Sequence, residues 1–146
     1  MTWALVAALA GCGGDADEDA RPLRELTDAE LVASCQRERA EAGATALVGY
    51  QHSLCYDASF VGGACNATVY ENCVAAGAPA CTAPAADSPL RTCEATVGEA
   101  RACASAWLRQ FEAAQNASCA AAPPTPTART GVAACAAFCA ACPGAC

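Results

Sequence analysis

Cys93-Glu-Ala-Thr96-Val-Gly-Glu99-Ala-Arg-Ala-Cys103 combines a helix start with two cysteines. Thr96 and Glu99 have the spacing of a capping box, in which each side chain bonds a free backbone amide of the first helical turn. This motif predicts a helix that begins at Thr96, and we expect it to run over residues 96–115. One cysteine precedes the cap and another lies inside the helix, so disulfides can fix both parts to neighbouring segments.

The apolar residues of this helix predict which of its faces is buried. They recur at spacings of three and four residues, which places them on one side of a helix: Val97, Ala100, Cys103, Ala104, Trp107, Leu108 and Phe111. Because the chain has so few large side chains, we expect Trp107 and Phe111 to pack in the core. The alternative is that these two rings line a ligand pocket.

The first half of this stretch occurs twice in the chain. Residues 65–73 and 93–103 both read Cys-x-Ala-Thr-Val-x-Glu and then reach another cysteine. Thr68 and Glu71 repeat the capping-box spacing, which predicts a second helix over residues 68–76. The internal repeat therefore indicates two similar helical units within one domain.

Two more helices are expected outside the repeat. Thr27-Asp-Ala-Glu30 is another capping box and predicts a helix over residues 27–42. A short helix is expected over residues 131–142, where Pro143 stops it. The fold class predicted is thus a small all-α, disulfide-rich domain with about four short helices.

Loops rich in glycine and proline are expected to join these helices. Residues 44–63 show no clear period and contain several glycines, so we predict mostly loop there. Residues 77–90 hold three prolines, which also favours a loop. Pro123-Pro124-Thr-Pro126 is typical of an extended connector.

Composition explains why such a domain needs disulfides. Of 146 residues, 41 are alanine and 13 are cysteine, whereas Leu, Val, Ile and Phe total 20. So few large apolar side chains bury little surface, and exported chains of this kind use disulfides instead. Setting Cys12 aside leaves an even number that can pair completely, although the sequence leaves the pairing open: Cys35, Cys55, Cys65, Cys73, Cys81, Cys93, Cys103, Cys119, Cys135, Cys139, Cys142 and Cys146.

The N-terminus predicts export and lipid attachment. The apolar run within residues 1–11 is too short to span a bilayer and is typical of a signal peptide. Leu9-Ala10-Gly11-Cys12 resembles the lipobox of bacterial lipoproteins, which implies that Cys12 is lipidated and becomes the first residue of the mature protein. Residues 12–25 are then expected to form an acidic, flexible tether, and residues 26–146 a single disulfide-stapled helical domain.

Charge and the isolated histidine limit the functions considered. The net charge is −7 and the arginines are scattered, whereas nucleic acid is bound by clustered basic residues, so no nucleic-acid partner is expected. His52 is the only histidine. We expect an exposed loop residue there, with a role as a general base as the alternative.

The last cysteines offer an alternative chemistry. Cys135, Cys139 and Cys142 have the Cys-x3-Cys-x2-Cys spacing of radical SAM enzymes, whose thiolates hold an iron-sulfur cluster. Cys139 and Cys142 also form a Cys-x-x-Cys pair, and thiolates bind zinc or copper. Radical SAM enzymes carry this motif ahead of a large barrel, which we do not expect here, and we expect no strand before it, so we predict structural disulfides and no cofactor. A cysteine-based redox or metal-binding (Zn, Cu or Fe-S) envelope protein is the alternative.

Taken together, the lipobox and the Cys-x-Ala-Thr-Val-x-Glu units resemble the uncharacterised, alanine- and cysteine-rich predicted lipoproteins of high-GC Gram-negative bacteria. The resemblance implies a lipid-anchored protein of the bacterial cell envelope. Gly13 after the lipidated cysteine favours the outer membrane over the inner one. The chain shows no convergent set of acid, base and nucleophile, so we expect a non-enzymatic binding or structural module. Its partners would be the membrane, through the N-terminal lipid, and an envelope protein or a small-molecule ligand.

Overall fold

The chain is almost entirely helical in the computed structural model, which describes residues 14–146. The predicted signal peptide over residues 1–11 and the lipidation site at Cys12 lie outside these residues. The all-α, disulfide-rich class is confirmed, but the number of helices was predicted wrongly, because the described residues contain six α-helices instead of four. They are α1 (Gly14–Asp19), α2 (Asp28–Ala42), α3 (Ala44–Ser59), α4 (Ala67–Ala76), α5 (Val97–Arg109) and α6 (Ala136–Ala141).

Helices α2 and α5 begin as the capping boxes predicted. Thr27 accepts a hydrogen bond from the Glu30 amide, and the Glu30 carboxylate accepts one from the Thr27 amide at 2.8 Å. Thr96 and Glu99 make the same reciprocal pair. Helix α5 continues as a 3-10 helix over Gln110–Ala114, so helical structure covers nearly all of the predicted range.

Helix α3 corrects the prediction of a loop over residues 44–63. It starts directly after Gly43, whose φ of 91° suits glycine and separates α2 from α3. Gly49 lies inside α3 because the helix passes very close to the backbone of Phe111, where a Cβ atom would lie only 1.7 Å from the carbonyl oxygen. The glycine is therefore needed for packing and does not break the helix.

Helix α4 begins differently from the prediction. Its N-cap is Asn66, whose side chain accepts a hydrogen bond from the Val69 amide, so the predicted capping box of Thr68 and Glu71 does not form. Before it, Phe60–Val61 and Ala64–Cys65 form a short antiparallel hairpin around Gly62 and Gly63. The two halves of the internal repeat thus start their helices with different residues.

The C-terminal helix is shorter than predicted. Only Ala136–Ala141 is α-helical, because 3-10 turns occupy Arg129–Gly131 and Ala133–Cys135 before it and Pro143–Ala145 after it. Phe138 faces inward and is 4% exposed. This segment thus adds one large side chain to the core.

The largest buried cluster combines the N-terminal leucines, one side of α5 and the C-terminal segment. It includes Leu23, Leu26, Leu31, Val97 and Phe138. Two disulfides join parts of this cluster, Cys93–Cys142 and Cys103–Cys135. The chain therefore supplements a small apolar core with covalent links between its own members.

Disulfide bonds, which the cysteine count predicted, connect every described helix from α2 to α6 to another segment. The remaining pairs are Cys35–Cys81, Cys55–Cys73, Cys65–Cys119 and Cys139–Cys146. Each described cysteine has one partner. The structure therefore supplies the connectivity that the sequence left open.

The described part of the segment 12–25, which we expected to be a flexible tether, makes defined contacts with the domain. Helix α1 is held by ion pairs of Glu18 with Arg37 and of Asp19 with Arg101. Leu23 is 4% exposed, and its amide donates to the carbonyl of Ala95 at 2.9 Å. Residues 18–23 are thus attached to the domain. None of the helices in the described part of the chain is long and apolar enough to cross a membrane.

Candidate functional site

One face of α5 borders at least three cavities, and one of them, of about 270 Å³, is lined by Trp107 together with Arg129 and Ala145. Ala100, Cys103 and Ala104 border another, which we call the Glu38 cavity. Trp107 and Phe111, farther along the same face, border a further one, which we call the aromatic cavity. Both predictions for this face therefore hold in part, because Phe111 is buried in the interior and both rings also line a cavity.

The Glu38 cavity has a volume of about 230 Å³ and lies between α2, α5 and α6. Its walls are mainly apolar, which suits an apolar ligand group. They include Leu23, Leu31, Leu90, Ala100, Ala104 and Phe138. Two oppositely charged side chains, Glu38 and Arg129, also border it.

Glu38 reaches this cavity because it lies on the inward side of α2. Leu31 and Ser34, seven and four residues earlier, are both buried. The Ser34 hydroxyl donates to the Glu38 Oε1 at 3.3 Å. Burial raises the pKa of the Glu38 carboxyl, while the hydrogen bond from Ser34 and the attraction of Arg129 act against that change. The cavity thus holds a carboxyl group whose ionised form is poorly solvated.

Arg129 is held in place by other groups. Its guanidinium carbon lies 4.6 Å from the centroid of the Trp107 ring, a cation–π contact, and its Nη1 donates to the Ala145 carbonyl at 3.1 Å. Within residues 14–146, the ion pairs closer than 4.0 Å involve neither Arg129 nor Glu38. Two opposite charges therefore border one cavity without forming a direct pair.

The aromatic cavity is larger, at about 410 Å³. The rings of Tyr50, Trp107 and Phe111 pack edge to face, with centroids 4.9 to 5.6 Å apart. The predicted proline connector, residues 123–126, forms another part of the wall. Ser53 also lines this cavity, is 6% exposed, and its hydroxyl has no hydrogen-bond partner among the described residues.

His52 is not the exposed loop residue that we expected. It is part-buried in helix α3, since residues 44–59 are helical. Its Nδ1 lies 3.0 Å from the Ala117 carbonyl oxygen and 2.7 Å from the Tyr70 hydroxyl oxygen. Cys55, three residues after His52, is bonded to Cys73 and does not contact the imidazole as a free thiol. The arrangement links α3, α4 and the segment that follows the 3-10 helix Gln110–Ala114.

The C-terminal cysteines are all engaged with different partners. Cys135 is bonded to Cys103, Cys139 to Cys146 and Cys142 to Cys93. Cys139 and Cys142 are therefore not bonded to each other. Across residues 14–146, no three His, Cys, Asp or Glu side chains are grouped closely enough to hold a metal ion.

Sequence reasoning missed Glu38 and Arg129 as site residues. A signal for Glu38 was present, because it follows Leu31 and Ser34 at helical spacing and so had to lie on the buried face of α2. No comparable signal marked Arg129, which reaches the cavity from a 3-10 turn. Its position depends on Trp107 and Ala145, and these contacts have no local pattern in sequence.

Comparisons of the chain with protein-family models, with curated proteins and with solved structures found no significant match in any of the three.

Proposed function

We propose that this protein is a non-enzymatic, lipid-anchored module of the bacterial cell envelope that binds a small ligand in the Glu38 cavity. The observation that carries the ligand-binding part is the carboxyl group of Glu38, which borders an apolar cavity without an ion-pair partner among the described residues. A charged carboxylate beside an apolar cavity without an ion-pair partner destabilises the ligand-free protein, and a ligand that binds the carboxylate can offset this destabilisation.

The lipid-anchored part rests on the lipobox at Leu9–Cys12. Six disulfides support an oxidising location, where such bonds persist. Helix α1 begins at Gly14, two residues after the proposed lipidated cysteine. Because residues 18–23 are attached to the domain, a lipid on Cys12 would hold the domain close to the membrane surface. Of the two envelope membranes we favour the outer one.

A binding role is favoured over a catalytic one by the separation of the polar groups. Glu38 and Arg129 both line the Glu38 cavity. His52 is bonded elsewhere, to the Tyr70 hydroxyl and the Ala117 carbonyl. Opposite charges at one cavity can bind the charged groups of a ligand, and His52 does not line that cavity.

Mass spectrometry of protein isolated from envelope membranes tests both parts. Denatured protein should show an acylated Cys12 and no free thiols. Native spectra should show a small bound molecule that disappears in Ala104→Phe, which fills the Glu38 cavity. Ala102→Phe is the matched control, because Ala102 lies on the exposed side of the same helix. Free thiols, an unmodified Cys12, or a bound molecule that persists in Ala104→Phe would each contradict the proposal.

A further inference from the structure

We propose that the ligand of the Glu38 cavity is a small zwitterion with an apolar body, of the class of free α-amino acids with an aliphatic or aromatic side chain. Its ammonium group would bind Glu38 and its carboxylate would bind Arg129. The inference rests on the proposed function, because it names the ligand of the same cavity.

The ammonium end is argued from the state of Glu38. Its one side-chain hydrogen bond comes from Ser34, at Oε1, although a carboxylate can accept about four. Elsewhere in the described chain, carboxylates with more exposure have arginine partners: Glu30 pairs with Arg21 at 2.7 Å and Asp28 with Arg91 at 2.6 Å. Glu38, where burial makes charge more costly, has none. A cationic group of the ligand would supply the ion-pair partner that the Glu38 carboxylate lacks.

The carboxylate end is argued from Arg129. A guanidinium group has five N–H donors, and Arg129 uses Nη1 for the Ala145 carbonyl. Arg129 lines both the Glu38 cavity and a neighbouring cavity of about 270 Å³, and its stacking on Trp107 and this hydrogen bond lie on the side of the neighbouring cavity. Other donors therefore remain for an anion, and the planar guanidinium fork matches a carboxylate.

The apolar body follows from the other walls of the cavity. Leu23, Leu31, Leu90 and Phe138 border the cavity, and its volume is about 230 Å³. A ligand with only two charged groups would leave these walls in contact with water. An aliphatic or aromatic side chain would cover them, and the small volume favours a single amino acid over a peptide.

Three compounds of nearly equal shape separate the contributions of the two charges. L-leucine carries both charges, L-leucinamide lacks the carboxylate, and 4-methylpentanoate lacks the ammonium group. Isothermal titration calorimetry with the full-length, oxidised protein at neutral pH should show leucine binding at least ten-fold more tightly than either analogue. The reason is that each analogue leaves one charged side chain without its partner.

Two variants assign the charges to residues. Glu38→Gln should weaken leucine and leucinamide at least ten-fold and leave 4-methylpentanoate unchanged. Arg129→Gln should weaken leucine and 4-methylpentanoate and leave leucinamide unchanged. The matched controls are Glu71→Gln and Arg109→Gln, both at exposed positions away from the cavity, and neither should change any of the three affinities.

Several outcomes would overturn the inference. If leucinamide or 4-methylpentanoate binds as tightly as leucine, the cavity does not select a zwitterion. If all three bind equally and neither cavity variant matters, the cavity binds apolar molecules generally, so this inference fails while the proposed function stands. If none binds but native spectra still show a bound molecule that Ala104→Phe removes, only the ligand class is wrong. If those spectra show no bound molecule, the proposed function fails as well.

Discussion

The phenol of Tyr70 donates a hydrogen bond to the backbone carbonyl of Ala117, 47 residues farther along the chain. The same phenol oxygen lies 2.7 Å from His52 Nδ1. Tyr70 is 6% exposed, so water does not replace these contacts easily. One side chain therefore connects α4 to α3 and to the segment that follows α5.

Tyr70→Phe should destabilise the protein by about 1 kcal/mol, because the Ala117 carbonyl and His52 Nδ1 each lose the phenol and keep only each other, at 3.0 Å. Urea denaturation measures the change. Tyr56→Phe is the control, since Tyr56 is only half-buried and makes no side-chain hydrogen bond among the described residues. Equal effects of the two substitutions would contradict the role of the Tyr70 hydroxyl.

The start of α4 gives a second prediction. Asn66→Ala should cost about 1 kcal/mol of stability, because Asn66 caps the helix by accepting from the Val69 amide. Thr68→Ala should change stability little, as Thr68 is exposed and lies inside the helix. Thermal or urea unfolding distinguishes the two. A larger loss for Thr68→Ala would instead favour the capping box that the sequence predicted.

Glu30 gives a prediction about acid stability. The hydrogen bond from Arg21, helped by those from Thr27, lowers the pKa of Glu30 from 4.5 to about 2. The unfolded chain therefore binds the proton more tightly than the folded one, so this contribution is present at neutral pH and is lost as pH falls from 4.5 towards 2. Glu30→Gln should be less stable than the native protein at pH 7, and the difference should shrink in this range. A constant difference, measured by urea unfolding at several pH values, would contradict it.

Glu38 gives the opposite dependence, because burial raises the pKa of its carboxyl. Here the folded state binds the proton more tightly, so stability falls as pH rises through the interval above the ordinary value of 4.5. Glu38→Gln should therefore raise the melting temperature of the ligand-free protein at pH 8 and have less effect at pH 4. Glu71→Gln is an exposed control for the loss of one negative charge. A lower melting temperature for Glu38→Gln at pH 8 would be the contrary result.

Removing different disulfides should have unequal effects. Cys103–Cys135 closes a sequence separation of 32 residues and Cys139–Cys146 one of 7. Chain entropy alone assigns about 4 kcal/mol to the first and about 2 kcal/mol to the second. Cys103 and Cys135 are also buried, so replacing both with alanine leaves a cavity, whereas Cys146 is exposed. Urea unfolding of the two double-alanine variants should show the larger loss for Cys103/Cys135, and the reverse order would contradict this explanation.

Local chemistry explains which parts of the fold the sequence predicted. The capping boxes at Thr27 and Thr96 involve residues three positions apart, so the pattern is complete within a few letters of sequence. At the start of α4 the sequence contains two residues that can cap a helix, Asn66 and Thr68, and the structure uses Asn66, the earlier one. Cysteine parity likewise predicted disulfides, but their pairing depends on the three-dimensional path of the chain.

Contacts distant in sequence explain the errors. Residues 44–59 were predicted as loop because of glycines such as Gly49, whose purpose appears only when Phe111 is placed beside it. His52 was misplaced for the same reason, as its partners Tyr70 and Ala117 belong to other segments. Of the candidate site, the inward position of Glu38 could be predicted from helical spacing, whereas Arg129 could not.

Residues 135–142 complete the largest cluster of the described residues, since Cys135, Phe138 and Cys142 all belong to it. A nascent polypeptide that lacks residues 135–146 therefore has neither a finished interior nor partners for Cys93 and Cys103. Oxidative maturation of the domain must therefore wait until residues 135–142 have emerged, and a truncation before residue 135 would leave Cys93 and Cys103 unpaired.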